Sequence, residues 1–374
     1  MKNIVASVLV ICFFSTCHAQ QLIDKDATKE TVALYKNLFA LSSKGVMFGH
    51  QDDESYGVGW WAQPGRSDVR DIAGSYPAVH GWDLGRIELD SPTDLDSVNF
   101  ENMHKWIEGV YQRGGINTIS WHVNNPVSKK SAWDKTPAVK DILPGGAQHD
   151  YFVNQLSKVA DFLQACKSNS TPIPIIFRPW HEHNGDWFWW GKRNCTEEEY
   201  VQLWRFTVSY LRDTRKLHHL IYASSPDRSR MNMVDAEATY LYGYPGDDYV
   251  DILGLDDYMD VGVSKTAEEQ QMKTESLAKV LELVSTIGAK KNKIIALTET
   301  GQESVVNPTW FTDVLLKAVK SKSTIRVSYA MVWRNANKKH HYASYKGHTS
   351  EADFKKFYED PYTLFEADLK NLYK

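Results

Sequence analysis

The sequence predicts an α/β fold, a (β/α)8 TIM barrel with enlarged βα loops, from three observations. Eight short apolar runs alternate with helical stretches, which implies a parallel sheet with crossover helices. The runs end on polar and aromatic residues, among them His50, Asp83, His122, Glu182, Asp227, Asp256, Tyr258, Glu299 and Trp333. In a barrel all strand ends share one face, so residues far apart in sequence become neighbours there. No Gly-x-Gly-x-x-Gly follows the first run, which disfavours the competing open, doubly wound sheet.

Taken in order, residues 1–19 read as a signal peptide. Lys2 is the charged start, Ile4 to Phe14 is the apolar run, and Cys17-His18-Ala19 offers a cut after Ala19. The run is too short to span a membrane. Export to a periplasm or the extracellular space is therefore expected. Cys17 leaves a second route, a lipid-modified N-terminus, disfavoured because Phe14-Ser15-Thr16 matches poorly the residues usual before a lipidated cysteine. Residues 20–374 are expected to form one barrel domain, since no composition shift marks a second.

A helix over 29–41 precedes the first strand, Gly45 to Gly49, which leads into His50-Gln51-Asp52-Asp53. The run Asp52-Asp53-Glu54 reads as a solvated loop face. The second strand spans Ala78 to Leu84. An amphipathic helix over 99–113 stops at Gly114-Gly115, and the third strand, Ile116 to Trp121, ends in His122. A polar stretch from Ser128 to Gly146 follows, and loops this long inside compact domains are usually functional. The fourth strand, Ile173 to Phe177, runs into Arg178-Pro179-Trp180-His181-Glu182-His183-Asn184-Gly185-Asp186-Trp187-Phe188-Trp189-Trp190. Thr196 with Glu199 makes a capping box. Strands five to eight are Leu220 to Ser224, Tyr249 to Leu255, Ile294 to Thr298 and Arg326 to Val332. The tail over 352–372 reads as helix broken at Pro361.

Composition narrows the partners. A net charge of -4 offers no basic surface, so nucleic acid is excluded as a partner. The counts of 13 Trp and 19 Tyr favour a stacking site, because so many amphipathic rings exceed what a core alone requires. After the leader only Cys166 and Cys195 remain; a βα repeat puts them at opposite ends of the domain, so both are expected as free thiols.

The cluster after the fourth strand mixes indoles, which are costly to leave wet, with ionisable groups, which are costly to bury unpaired. A sugar cleft suits both, since sugar rings stack on aromatic faces and their hydroxyls bond to charged edges. Glu182 after strand four and Glu299 at the end of strand seven then supply paired carboxylates, the basis of glycoside cleavage. Indoles around Glu182 favour its neutral acid, whereas a phenol from Tyr258 would favour a charged Glu299. Taken singly, each glutamate reads as a solvated or salt-bridged residue; two in the fourth and seventh units, bracketed by aromatics and hydroxyls, read as an acid and a nucleophile.

The motifs Phe48-Gly49-His50-Gln51, Trp121-His122, Arg178-Pro179-Trp180-His181-Glu182, Asp256-Asp257-Tyr258, Thr298-Glu299 and Trp333 resemble glycoside hydrolase family 26, mostly β-1,4-mannanases. His181 before the acid is the family's form where many clan relatives carry Asn. The resemblance covers essentially the whole mature chain and implies a retaining β-1,4-mannanase, without metal or cofactor, acting on mannan, glucomannan or galactomannan; a monomer is expected, with oligomeric state left open. It assigns Glu182 as acid/base and Glu299 as nucleophile, with Tyr258 orienting Glu299. His122 and His181 would bond sugar hydroxyls, and Trp187 and Trp333 would be stacking platforms. Trp121, His50, Trp133 and Asp256 join the expected substrate-binding set. A retaining xylanase or mixed-linkage β-glucanase, and a non-catalytic sugar-binding protein, are the alternatives; release of mannobiose from chain ends stays open beside endo attack.

Other residues read more plainly. His181-Glu182-His183 spells a zinc-type His-x-His, but on an extended strand both imidazoles would point together and away from Glu182. Asp186 reads equally as a turn former and as a ligand for Arg178, and Arg178 as the holder of the acid loop. Trp60, Trp61 and Trp82, with Trp133, divide between outer sugar sites and core.

Overall fold

The computed structural model describes residues 21–374, so the signal-peptide reading of residues 1–19 lies outside the described residues. Eight parallel strands form the barrel: β1 (Val46–Gln51), β2 (Val79–Asp83), β3 (Ile116–Ser120), β4 (Ile175–Arg178), β5 (Leu220–Ser224), β6 (Ile252–Asp257), β7 (Ile294–Thr300) and β8 (Val327–Val332). Each pairs with its sequence neighbour, and β8 pairs back onto β1 through Met47 opposite Tyr329 and His50 opposite Val332, which closes the sheet. A closed sheet leaves no free edge.

One ring of side chains, including Met47, Val79, Ile116, Ile176, Ile221, Ile252, Ile294 and Tyr329, packs with Leu34, Tyr35 and Leu38 of the N-terminal helix Lys29–Leu41. That helix seals the end of the barrel opposite the site. A second layer, with Phe48, Ile119, Phe177, Tyr222 and Leu297, packs against the surrounding helices. Local signals set the helix ends. Asn99 caps Phe100–Arg113 and Gly114 ends it in the left-handed conformation, while Thr196 and Glu199 form the capping box of Glu197–Ser209.

Three differences from the sequence reading have physical causes. β4 begins at Ile175, not Ile173, because Pro174 has no N–H to give the ladder. The tail helix is Glu351–Glu359; beyond Pro361, Thr363–Leu364 adds a short parallel strand to the start of β1 and a single 3-10 turn, Glu366–Asp368, follows. A short helix, Ala236–Tyr240, lies between β5 and β6 where no periodicity announced one.

The acidic run after β1 is a correction. Asp52, Asp53 and Glu54 are buried, not solvated. Asp52 accepts from the Tyr56 hydroxyl at 2.7 Å and Asp53 from Ser67 at 2.9 Å. Glu54 pairs with Arg113 at 2.5 Å, and Arg113 pairs again with Glu366 of the tail at 2.8 Å. Cys166 and Cys195 are free thiols, as expected. Among the described residues no helix is long and apolar enough to cross a membrane.

Candidate active site

The carboxyl ends of β4, β6 and β7 converge. Between β6 and β7 the register slips, so that Asp256 stands opposite Glu299 and Thr298 is the extra residue. Such bulges re-aim side chains and often lie beside active sites. Here the bulge turns Glu299 toward the barrel axis while Thr298 donates to Asp256 at 2.6 Å.

The acid loop after β4 is not extended. Trp180 and Glu182 both have φ of 53°, in the left-handed region. For bulky residues this costs of order 1–3 kcal/mol each and persists only where the surroundings enforce it. Enforcement is visible: the Glu182 N–H donates to Ser225 O at 2.7 Å, Trp180 Nε1 donates to Thr207 at 3.0 Å, and Trp190 Nε1 donates to His181 O at 2.9 Å. The alternation expected of His181 and His183 is therefore lost. His181 turns to His122, while His183 bonds Tyr242 O at 2.6 Å and stacks on Tyr200 at 4.2 Å. The two imidazoles serve separate partners rather than a shared ion.

Glu182, Asp256 and Glu299 each present an oxygen within 4.8 Å of the others. Such an oxygen set suits a hard cation in principle, but a guanidinium already stands among them. Arg178 is buried and bonds Asp256 at 2.9 Å, and it also bonds Glu299. Burial works against its charge, yet Asp256 and Glu299 outweigh that and hold it protonated. Glu299 accepts a further bond from the Tyr258 hydroxyl at 3.0 Å. Burial, then Glu299, keep Tyr258 a phenol and hence a donor.

Glu182 meets no such cation among the described residues. Burial, then the nearby charges of Asp256, Glu299 and Asp227, push its carboxyl well above the ordinary range. One group opposes them: Trp187 Nε1 donates to Glu182 Oε2 at 2.7 Å. Gly185 makes room for that indole, since a Cβ there would lie 2.4 Å from the Trp187 ring.

His122 and His181 divide one proton. Against its burial, Asp83 at 2.8 Å raises His122 above the usual histidine range. Burial, then His122 and Arg178, press His181 well below it. The rings meet Nε2 to Nε2 at 3.1 Å, an arrangement in which a protonated His122 donates to a neutral His181.

The predicted set thus separates into a cleft surface and its support. Glu182, Trp187, Tyr258 and Trp333 keep partial exposure, and Trp133 is half-exposed with its ring stacked on His122 at 5.4 Å. His181 and Asp256 are buried behind them; both Asp256 oxygens are engaged, by Thr298, Ser225 and Arg178. His50 is enclosed and bonds Asp53 at 2.7 Å instead of facing the cleft. Trp121 is core, packed on Trp180 at 5.4 Å. Successive residues leave a strand on opposite sides, so with His122 toward the cleft, Trp121 faces the helices. Asp186 serves Arg230 at 2.8 Å, not Arg178. Trp60 and Trp82 are buried, with indole N–H groups on Asp68 and Asn117.

One residue was missed, Arg230, and another, Asp83, was named at a strand end without a role. Asp83 orients His122, and its place at a strand end was signal enough to find it. Arg230 lies 5.1 Å over the Trp187 ring from a loop without any pattern.

A closed (β/α)8 barrel whose β4 loop and β7 bring two carboxyls this close, one pushed neutral and one held by donors, is built as glycosidases with paired carboxylates are. The chain belongs to glycosyl hydrolase family 26, whose model matches residues 23–367. A mannan endo-1,4-β-mannosidase of Bifidobacterium adolescentis is 34% identical over 362 residues, covering 92% of this chain and 35% of that protein. One from Bacillus subtilis is 31% identical over 314 residues, covering 81% of this chain and 76% of its own length. The chain thus spans about a third of the first relative and three quarters of the second. A solved family-26 β-mannanase from Bacteroides ovatus superposes with a TM-score of 0.86 at 41% identity, covering 93% of this chain and 98% of its own.

Proposed function

We propose that this protein is an exported, retaining endo-β-1,4-mannanase that hydrolyses mannan, glucomannan or galactomannan. The observation that carries the mechanism is the close approach of the Glu182 and Glu299 oxygens, within 4.8 Å. Retention requires carboxyls about 5–5.5 Å apart, whereas inversion needs about 6.5–9.5 Å to admit a water. Substrate class rests on the mannanases among the relatives, and export on the leader pattern of residues 1–19.

In the first step Glu299 Oε attacks the anomeric carbon, and the bond from that carbon to the leaving oxygen breaks as Glu182 gives it a proton. This leaves a glycosyl ester on Glu299. In the second step Glu182, now a carboxylate, takes a proton from water; the water oxygen attacks the same carbon and Glu299 departs. Two inversions give net retention. Arg178 and Tyr258 receive the charge that returns to Glu299. Trp187, Trp133 and Trp333 offer ring faces to the sugars, and His122, its two nitrogens taken by Asp83 and His181, backs the Trp133 ring.

The test is paired. Glu182→Ala and Glu299→Ala should fold normally and lose most turnover on mannan; full activity in either sinks the assignment. Azide should rescue Glu182→Ala on an aryl mannoside with a good leaving group and give the β-azide, whereas an α-azide reverses the two roles. A panel of polysaccharides separates the rival specificities: reducing sugar from xylan or mixed-linkage β-glucan in place of mannan moves the substrate to that polymer.

A further inference from the structure

The hairpin after β1, formed by Tyr56–Gly57 and Trp60–Trp61, has no part in the chemistry above, yet it is built with unusual rigidity. Trp61 is 51% exposed, and its ring lies flat on Tyr56, centroids 4.8 Å apart at 4°. Tyr56 is buried and fixed at its far end. Its hydroxyl donates to Asp52 at 2.7 Å and accepts from Arg334 Nη1 at 3.3 Å. Arg334 is held in turn by Asp96 at 2.9 Å. The hairpin is also fastened to the loop after β8. Asp68 accepts from Trp60 Nε1 at 2.7 Å, from Val58 N–H at 2.8 Å and from Asn335 Nδ2 at 2.9 Å.

A chain of contacts links Trp61 to the cleft. Trp333 faces His122 edge-on at 6.4 Å in the cleft, Arg334 follows it in sequence, Arg334 bonds Tyr56, and Tyr56 carries Trp61. Singly exposed apolar residues are ordinary and need no explanation. Trp61 differs because one face is covered by a ring that is itself fixed and the other is left to water. Trp133, the other half-exposed Trp, is mounted in the same way on His122, with ring planes 15° apart.

We propose that the outer face of Trp61 is a distal sugar platform, which stacks one pyranose of a β-1,4-linked chain beyond the Trp333–Arg334 segment. The inference rests on the proposed polysaccharide hydrolase activity. It makes the enzyme sensitive to chain length through a residue remote from the two glutamates, since binding energy gathered on distant sugars is available to the reacting centre.

The experiment compares wild type, Trp61→Ala and Trp61→Phe on manno-oligosaccharides from the trimer to the hexamer, and on an aryl mannobioside too short to reach the platform. For Trp61→Ala, kcat/KM should fall about three- to tenfold, the scale of one aromatic stacking contact, on the longer oligomers alone. Trp61→Phe should recover part of the loss. A loss equal at every length means a structural role, and no loss at any length means an unused surface; either overturns the proposal. If the wild type ignores mannan but cuts another β-1,4-glycan, the substrate reading fails by itself, and the same series on oligomers of that glycan decides the platform.

Discussion

Replacing Trp187 with Phe removes a hydrogen bond that favours ionised Glu182. The indole N–H can only donate, so its 2.7 Å bond to Oε2 stabilises the carboxylate over the acid. A hydrogen bond to a charged group is worth about 1.5–3 kcal/mol, and about 1.36 kcal/mol corresponds to one pKa unit. Phe keeps an aromatic face under Arg230 and fits the room Gly185 leaves, so removal of the donor should raise the Glu182 pKa by about one unit, and by about two at most. The alkaline limb of kcat/KM reports the essential acid of the free enzyme. It should therefore move to higher pH by that amount, measured on mannotetraose across the full profile. A dinitrophenyl mannobioside, whose leaving group needs no proton, should lose little in its first step. An alkaline limb that stays in place or moves to lower pH would refute the reasoning and leave Trp187 as a platform alone.

Two further perturbations follow from buried charge. Arg178→Met leaves Asp256 and Glu299 buried without their shared cation, which should cost about 3–5 kcal/mol of stability; an unchanged urea midpoint would count against the pairing. Asp52 is pushed up to about 8, by burial first and then by Asp96, against Tyr56 and Arg334. Its unfolded value is near 3.8, so between these limits the native state keeps a proton that the unfolded chain has released, and stability falls as pH rises, by about 1.36 kcal/mol per unit for one full proton. Asp52→Asn retains an acceptor for Tyr56 and should flatten that slope in urea titrations; a slope parallel to wild type contradicts it.

The barrel was legible because its signals are local. Apolar runs, the glycine stop at Gly114, the capping box at Thr196, and polar strand ends each report on a few neighbouring residues. The site was legible to the depth of strand topology: once Glu182 and Glu299 fell on strands four and seven, the closed sheet made them neighbours. What escaped depends on contacts at long separation or on backbone that breaks the period. Glu54 looked solvated because its partner Arg113, and through it Glu366, lie 59 and 253 positions apart in sequence from the groups they bond, while Asp52 and Asp53 are held by Tyr56 and Ser67, nearby residues that no periodicity singled out. His181 and His183 were paired by a rule for extended chain, and the left-handed turns at Trp180 and Glu182 cancel it. Trp121 and His122 were both placed in the cleft, although adjacent residues leaving one strand cannot both face it.

The same geometry that sets the two glutamates apart also allows Glu182 to change role. Arg178 bonds Asp256 and Glu299, while Glu182 has neither that cation nor another among the described residues, so the cluster is relieved by protonating Glu182. Part of the pressure that keeps it protonated comes from the charge of Glu299. When Glu299 becomes a glycosyl ester that charge is gone, and Arg178 remains close by with one partner fewer. The Glu182 proton, already given to the leaving oxygen, is then no longer drawn back as strongly, and the carboxylate is free to act as base toward water. Once water releases the ester, the Glu299 charge returns and the acid is restored. A single guanidinium bonded to two of three carboxyls thus supplies both the initial division of roles and its reversal between the two steps.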